Sequence, residues 1–153
     1  MEKIRVIPKN LYIIEVNDNG DTIEFDMDDL ELVFKLERAY KAVKEAQKEL
    51  KVEMLIIEKK KDTIKKDEML SANEKARIDA YKKTFIKMRQ AFDEFLGQGA
   101  CQKIFGDRNY LEMFDDLIEQ LNPHFEKMKL NRETVMKKIK DKYKVDNNED
   151  VLK

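Results

Sequence analysis

Apolar residues follow two patterns along this chain, alternating at first and later recurring three or four residues apart. The early part reads as β structure. Leu11–Val16 and Asp21–Met27 are rich in residues that suit a pleated surface, and Ile23 and Phe25 alternate with Thr22, Glu24 and Asp26. Between them, Asn17-Asp18-Asn19-Gly20 carries an Asn-Gly pair, which favours the positive φ angles of tight hairpin turns. An isolated hairpin is marginal in water, so this one must lie on helices or pair with another strand. Ile4–Ile7, just before Pro8, is the candidate third strand.

A long helix follows, capped by Asp28 or Asp29, whose carboxylates suit free backbone N–H groups and the helix dipole. Val33, Leu36, Tyr40, Val43, Leu50, Met54, Ile57 and Ile64 trace a heptad seam, with Gln47 as its polar interruption. Such a seam must meet another helix, in this chain or a second one. The stripe thins after Ile57, where Glu58–Lys66 is almost wholly charged. The bend falls at Asp67–Ser71, and Ser71-Ala72-Asn73-Glu74 matches a capping box. A second helix carries Ile78, Tyr81, Phe85, Met88, Phe92 and Phe95 and ends at Gly97, folded back antiparallel on the first.

Beyond Gly99, Ala100–Phe105 reads as one or two helical turns stopped by Gly106. Asp107 or Asn109 caps a third helix with Leu111, Phe114, Leu117, Ile118 and Leu121, broken at Asn122-Pro123 and resuming through Phe125 and Met128 to Leu130. Asn131 caps a last helix with Val135, Met136, Ile139 and Tyr143. The expectation is a predominantly helical α+β fold in a single domain, 1–145. Its regions are a β-hairpin (1–27), a helical hairpin (28–98) and C-terminal helices (99–145), with a flexible tail over 146–153.

Composition narrows the function. With 41% charged residues, 4 glycines and 2 prolines in 153 residues, the chain reads as charged helix. Lys+Arg 31 and Asp+Glu 32 nearly cancel, so no net field draws nucleic acid or anionic lipid. The lysine clusters Lys59–Lys61 and Lys137–Lys144 read as solvated helix surface. Cys101, the one cysteine, cannot form an intrachain disulfide, which fits a reducing compartment. No apolar run reaches membrane-spanning length, and MEKIRVIPKN lacks the apolar core of a signal peptide. A cytoplasmic protein is expected.

Reactive groups are sparse. His124 is the only histidine and Cys101 has no second thiol, so a multi-histidine or dithiol metal site is excluded. A Cys101–His124 nucleophile–base pair would have to form across the third helix, and a buried thiol beside a half-exposed histidine is the simpler reading. Gly97-x-Gly99 lacks the third glycine and the preceding strand of a dinucleotide loop. Glu15–Asp26 places oxygens near calcium-loop positions, yet it ends in Asp26 and lies between strands. Paired acids such as Asp28-Asp29 and Asp115-Asp116 suit helix starts or solvated faces. No catalytic residue, metal or cofactor is expected. The apolar stripes are generous for so small a protein, which leaves room for one to face a partner helix. Met88, Met113, Met128 and Met136 would let such a surface adapt.

The order of features resembles a known family. An acidic hairpin runs through DMDDLELVFKLERAY into a charged helical hairpin, and a Phe-rich helix ends in FLGQGACQKIFGDRNYLEMFDDLIEQL. This is similar to small helical tail assembly chaperones of phages and prophages of Gram-positive bacteria. The matching positions are Phe92, Phe95, Gly97, Gly99, Ile104, Phe105, Gly106 and Leu111; the likeness covers 21–55 loosely and 85–121 more closely. It implies a non-enzymatic protein of the host bacterial cytoplasm that binds the tape measure protein, keeps it soluble and helps recruit tail tube protein. The helix after Pro123 departs from shorter versions of the family. A client groove is expected near Phe92, Phe95, Ile104, Phe105, Phe114 and Leu117, positions that could equally close the protein's own core. The alternatives are a self-associating helical structural protein, pairing as a homo-oligomer through the first helix, and a small regulatory or nucleic-acid-binding protein.

Overall fold

The hairpin forms where the alternation places it. In a computed structural model that describes residues 1–130 and 132–143, β1 (Leu11–Glu15) pairs antiparallel with β2 (Thr22–Asp26). Tyr12 faces Phe25 and Ile14 faces Ile23 across the ladder, and Ile23 and Phe25 are buried. Helices α1 (Leu32–Glu58), α2 (Ala72–Leu96), α3 (Ala100–Phe105), α4 (Met113–Met128) and α5 (Arg132–Tyr143) follow. The fold is α+β and mainly helical. The proposed cap Asn131 and the tail from Val145 on lie outside the described residues.

The connection between the strands is a four-residue loop rather than a two-residue turn. Val16 N–H donates to the Asp21 carbonyl at 2.9 Å, and Gly20 N–H to the Asn17 carbonyl at 3.4 Å. A two-residue type I′ turn would need positive φ at both central residues; here Gly20 alone has it, at 83°. Asn17 Oδ1 accepts from the N–H groups of Asn19 and Asp21, and Asp21 Oδ2 accepts from Asn17 Nδ2, so two of the oxygens that imitate a calcium loop are engaged in the turn itself. The third strand does not form. Among the described residues the sheet has two strands, and Ile4–Ile7 is irregular and exposed.

The chain divides into two compact units, where the sequence suggests one domain of three successive regions. One joins Met1–Lys35 to the described residues from Arg108 on, and the other is Leu36–Asp107. The boundary cuts α1 near its start. In the first unit, Ile23, Phe25 and Leu32 are buried, as are Met113, Phe114, Leu117, Leu121, Phe125 and Met128 along one face of α4. Tyr12 Oη lies 2.8 Å from His124 Nδ1, which ties β1 to α4. α4 begins at Met113, later than a cap at Asp107 or Asn109 implies, so Leu111 precedes it and is exposed. Nor does α4 break at Asn122-Pro123. Pro123 sits inside the helix, because Leu121 and Phe125 on either side are buried on the same face and hold it together.

α4 closes with Lys129 in the left-handed conformation (φ 53°). Leu130 N–H donates to Phe125 O at 3.0 Å and Lys129 N–H to Glu126 O at 3.1 Å, the bond pair of a Schellman cap. A lysine there pays for a Cβ that glycine lacks. Lys129→Gly should therefore stabilise the protein by about 1 kcal/mol, read from the urea midpoint at unchanged slope.

In the Leu36–Asp107 unit, α1 and α2 run antiparallel. Tyr40 meets Phe92 edge-on at 6.5 Å between ring centroids, Lys87 pairs with Glu49 at 2.7 Å, and Asn73 reaches Ile57. The buried line on α1 is Leu36, Ala39, Val43, Ala46 and Ile57. Leu36, Val43 and Ile57 are the expected seam residues, while Ala39 and Ala46 take the places next to Tyr40 and Gln47, so Gln47 is exposed rather than interrupting the line. On α2 the line takes in Ala80 and Thr84, while Ile78 is exposed. Small residues on both helices, Ala39 and Ala46 on α1 and Ala80 on α2, are buried here, and Tyr40 and Tyr81 are half-buried beside them. Ile64 lies beyond the end of α1 and is exposed.

Candidate partner-binding surface

Four of the six residues proposed for a client groove are interior. In the Leu36–Asp107 unit, Phe92 is 0% exposed and Phe95 is buried, while Ile104 and Phe105 on α3 are half-buried. Arg89 places its guanidinium 5.7 Å from the centre of the Phe105 ring, a cation–π contact. In the other unit, Phe114 and Leu117 belong to the buried face of α4. Ile104 and Phe105 are thus the members of the set with open surface. Of the methionines, Met88, Met113 and Met128 are buried and Met136 is half-buried.

The exposed apolar surface of the Leu36–Asp107 unit lies elsewhere. Val52, Leu55 and Ile56 are 58%, 58% and 53% exposed. At roughly 100° per residue they gather on the side of α1 turned away from its buried line. Positions i, i+3 and i+4 are neighbours on a helix surface, so the three form one aliphatic patch. Lys48, Lys51 and Lys59 and the acids Glu45 and Glu49, all exposed, stand around it. The sequence carries a trace of this face. Val52–Ile57 holds more apolar side chains than one seam can take, but with the seam drawn through Met54 and Ile57 the surplus goes uncounted.

The candidate reactive groups are occupied locally. Cys101 is buried, and burial first, then Asp93, pushes its thiol far above the ordinary range, so it is a poor nucleophile. Its N–H donates to Asp93 Oδ1 at 2.8 Å and its Sγ lies 3.6 Å from the Arg89 carbonyl. The start of α3 is thereby answered by the chain's own carboxylate. Gly97 and Gly99 have φ of 113° and 77° and carry the chain from α2 into α3, a helix-to-helix turn rather than a phosphate loop. His124 has Tyr12 as its partner, by hydrogen bond and by an edge-on ring contact at 5.7 Å. Among the described residues, no three His, Cys, Asp or Glu side chains are grouped to hold a metal ion.

The first unit has an open groove of about 710 Å³ beside the end of β2. Met27, Leu30 and Ile139 supply its apolar lining, and Asp28, Lys138 and Asp141 bring both signs of charge.

Sequence reasoning missed Asn73, the buried residue that organises the α1–α2 connection. Its Nδ2 donates to the carbonyls of Ile57 (3.2 Å) and Lys60 (3.0 Å), and its N–H donates to Asp62 Oδ1 (3.0 Å). The Asn73 N–H, then the Ser71 side chain, hold the Asp62 carboxyl below its usual range. The capping box beside it is complete. Glu74 N–H donates to Ser71 Oγ and Ser71 N–H to Glu74 Oε1. The signal for Asn73 was a short amide in a helix's first turn, but nothing in the sequence says which carbonyls it meets.

Among the described residues, no helix is long and apolar enough to cross a membrane. No curated protein and no solved structure matches the chain significantly. A model of a family of unknown function, DUF6673, matches residues 19–150, which takes in β2 and helices α1 to α5 but not β1. The chain belongs to the DUF6673 family.

Proposed function

We propose that this protein is a non-enzymatic chaperone of phage tail assembly, acting in the host bacterial cytoplasm. Its client is the tape measure protein, which it keeps soluble while tail tube subunits are recruited. The sequence resemblance, loose over 21–55 and closer over 85–121, suggests the class. The observation that carries the reading is the aliphatic patch Val52, Leu55 and Ile56, exposed on a helix whose opposite face is already buried. Apolar client helices need a matching apolar stripe to cover them, on a carrier whose remaining surface is charged enough to stay dissolved. Charged residues of both signs around the patch serve that second need.

Co-expression with the product of a long, helix-rich reading frame adjacent to this gene tests the proposal. That product should be soluble in company and aggregate alone. Leu55→Glu with Ile56→Lys should abolish co-purification while leaving the unfolding free energy within about 0.5 kcal/mol of the parent, since both side chains are exposed. A neighbour that stays soluble alone, or binds the double variant as well as the parent, would refute it.

A further inference from the structure

We propose that Ile4–Ile7 is an exchange strand, adding to the open edge of β1 in a second copy of this chain while that copy returns its own. The two halves of this contact are both on the surface. Ile4, Val6 and Ile7 are 93%, 88% and 62% exposed, and β-branched residues in that density suit a strand. The edge they fit is also unpaired. Met27 N–H donates to Asn10 O and Val16 N–H to Asp21 O, so the even-numbered residues of β1 turn their backbone groups toward β2. The odd-numbered residues Leu11, Ile13 and Glu15 turn theirs outward, where no described residue meets them. A two-stranded sheet with an apolar open edge is the arrangement that further pairing stabilises.

The chain's own geometry turns the segment away from its own edge. A two-residue reversal at Pro8-Lys9 requires positive φ at Pro8, which its ring forbids. A three-residue reversal would put Asn10 in the left-handed conformation, but Asn10 has negative φ and its carbonyl is bonded to Met27. A second copy needs no such reversal; only the bend at Lys9-Asn10 has to open out. In an antiparallel two-fold arrangement, Ile7 stands opposite Ile13 and Arg5 opposite the exposed Glu15, an apolar pair and an ion pair, each occurring twice. Ile4 and Val6 then fall on the face of the half-buried Tyr12 and Ile14. Pro8 falls at a position whose N–H would point away from the partner strand, so its missing donor costs nothing there.

Sedimentation of the full chain over a wide concentration range should show a monomer–dimer equilibrium. Arg5→Glu and Glu15→Arg should each weaken it about tenfold, and the two together should restore it. Circular dichroism of each variant confirms that the hairpin and helices persist. Mixing Ile7→Cys chains with Ile13→Cys chains under oxidising conditions should trap a disulfide-linked dimer that neither forms alone. A chain that is monomeric throughout, a charge swap that fails to restore association, or no trapped dimer would overturn the proposal.

Discussion

Replacing Phe92 with alanine should remove about 3–5 kcal/mol of stability, the largest single effect expected in this protein. The ring is 0% exposed and meets Tyr40 edge-on, so truncation leaves a cavity that the small residues around it cannot refill. The denaturation midpoint should fall markedly, for typical domains hold only about 5–15 kcal/mol in all. The same measurement separates two roles for this residue. If Phe92→Ala keeps the parent's stability and loses only the client, Phe92 is a contact residue and the packing account given above is wrong.

The second large effect is expected at Asn73. Asn73→Ala should cost about 1–3 kcal/mol, because one buried amide serves two carbonyls at the end of α1. Removing it takes both bonds away; the Ile57 carbonyl keeps the Lys60 N–H at 3.0 Å, while the Lys60 carbonyl loses its amide donor. Asn73→Asp discriminates further: it keeps the size but offers no donor, so it should be at least as harmful as alanine. Equal stability of the alanine variant would show that other groups satisfy these carbonyls. Hydrogen exchange at the last turn of α1 and the first of α2 would locate the damage, with protection lost there before it is lost near Val43 and Met88.

The elements that could be read from the sequence were those with a local cause. Alternation around Ile23 and Phe25, the Ser71–Glu74 box and the glycines at 97, 99 and 106 each act over a few residues, and each appears in the structure. Misreadings came where distant packing decides. Ala39, Ala46 and Ala80 look indifferent in a hydrophobicity pattern, yet they are the buried positions, and the larger Ile78 is left outside. Pro123 carries a strong local stop signal that loses to the buried face of α4. The candidate surface was the least legible part. Phe92, Phe95, Phe114 and Leu117 attract attention as large apolar residues, and for that reason they fill interiors. Val52, Leu55 and Ile56 sit among seam residues of the same type, and only knowing where α2 lies separates inner from outer face.

Division of the chain has a consequence for how it emerges from a ribosome. Residues Leu36–Asp107 form an uninterrupted stretch, so that unit has all its parts as soon as Asp107 clears the exit tunnel. The other unit is assembled from both sides of this stretch, and its earliest residues must wait for α4 to be translated. During that interval Ile23 and Phe25 lack the helix that later buries beside them. Slow decoding between Arg108 and Met128 would lengthen their exposure, which makes the rate of synthesis over that stretch a determinant of yield.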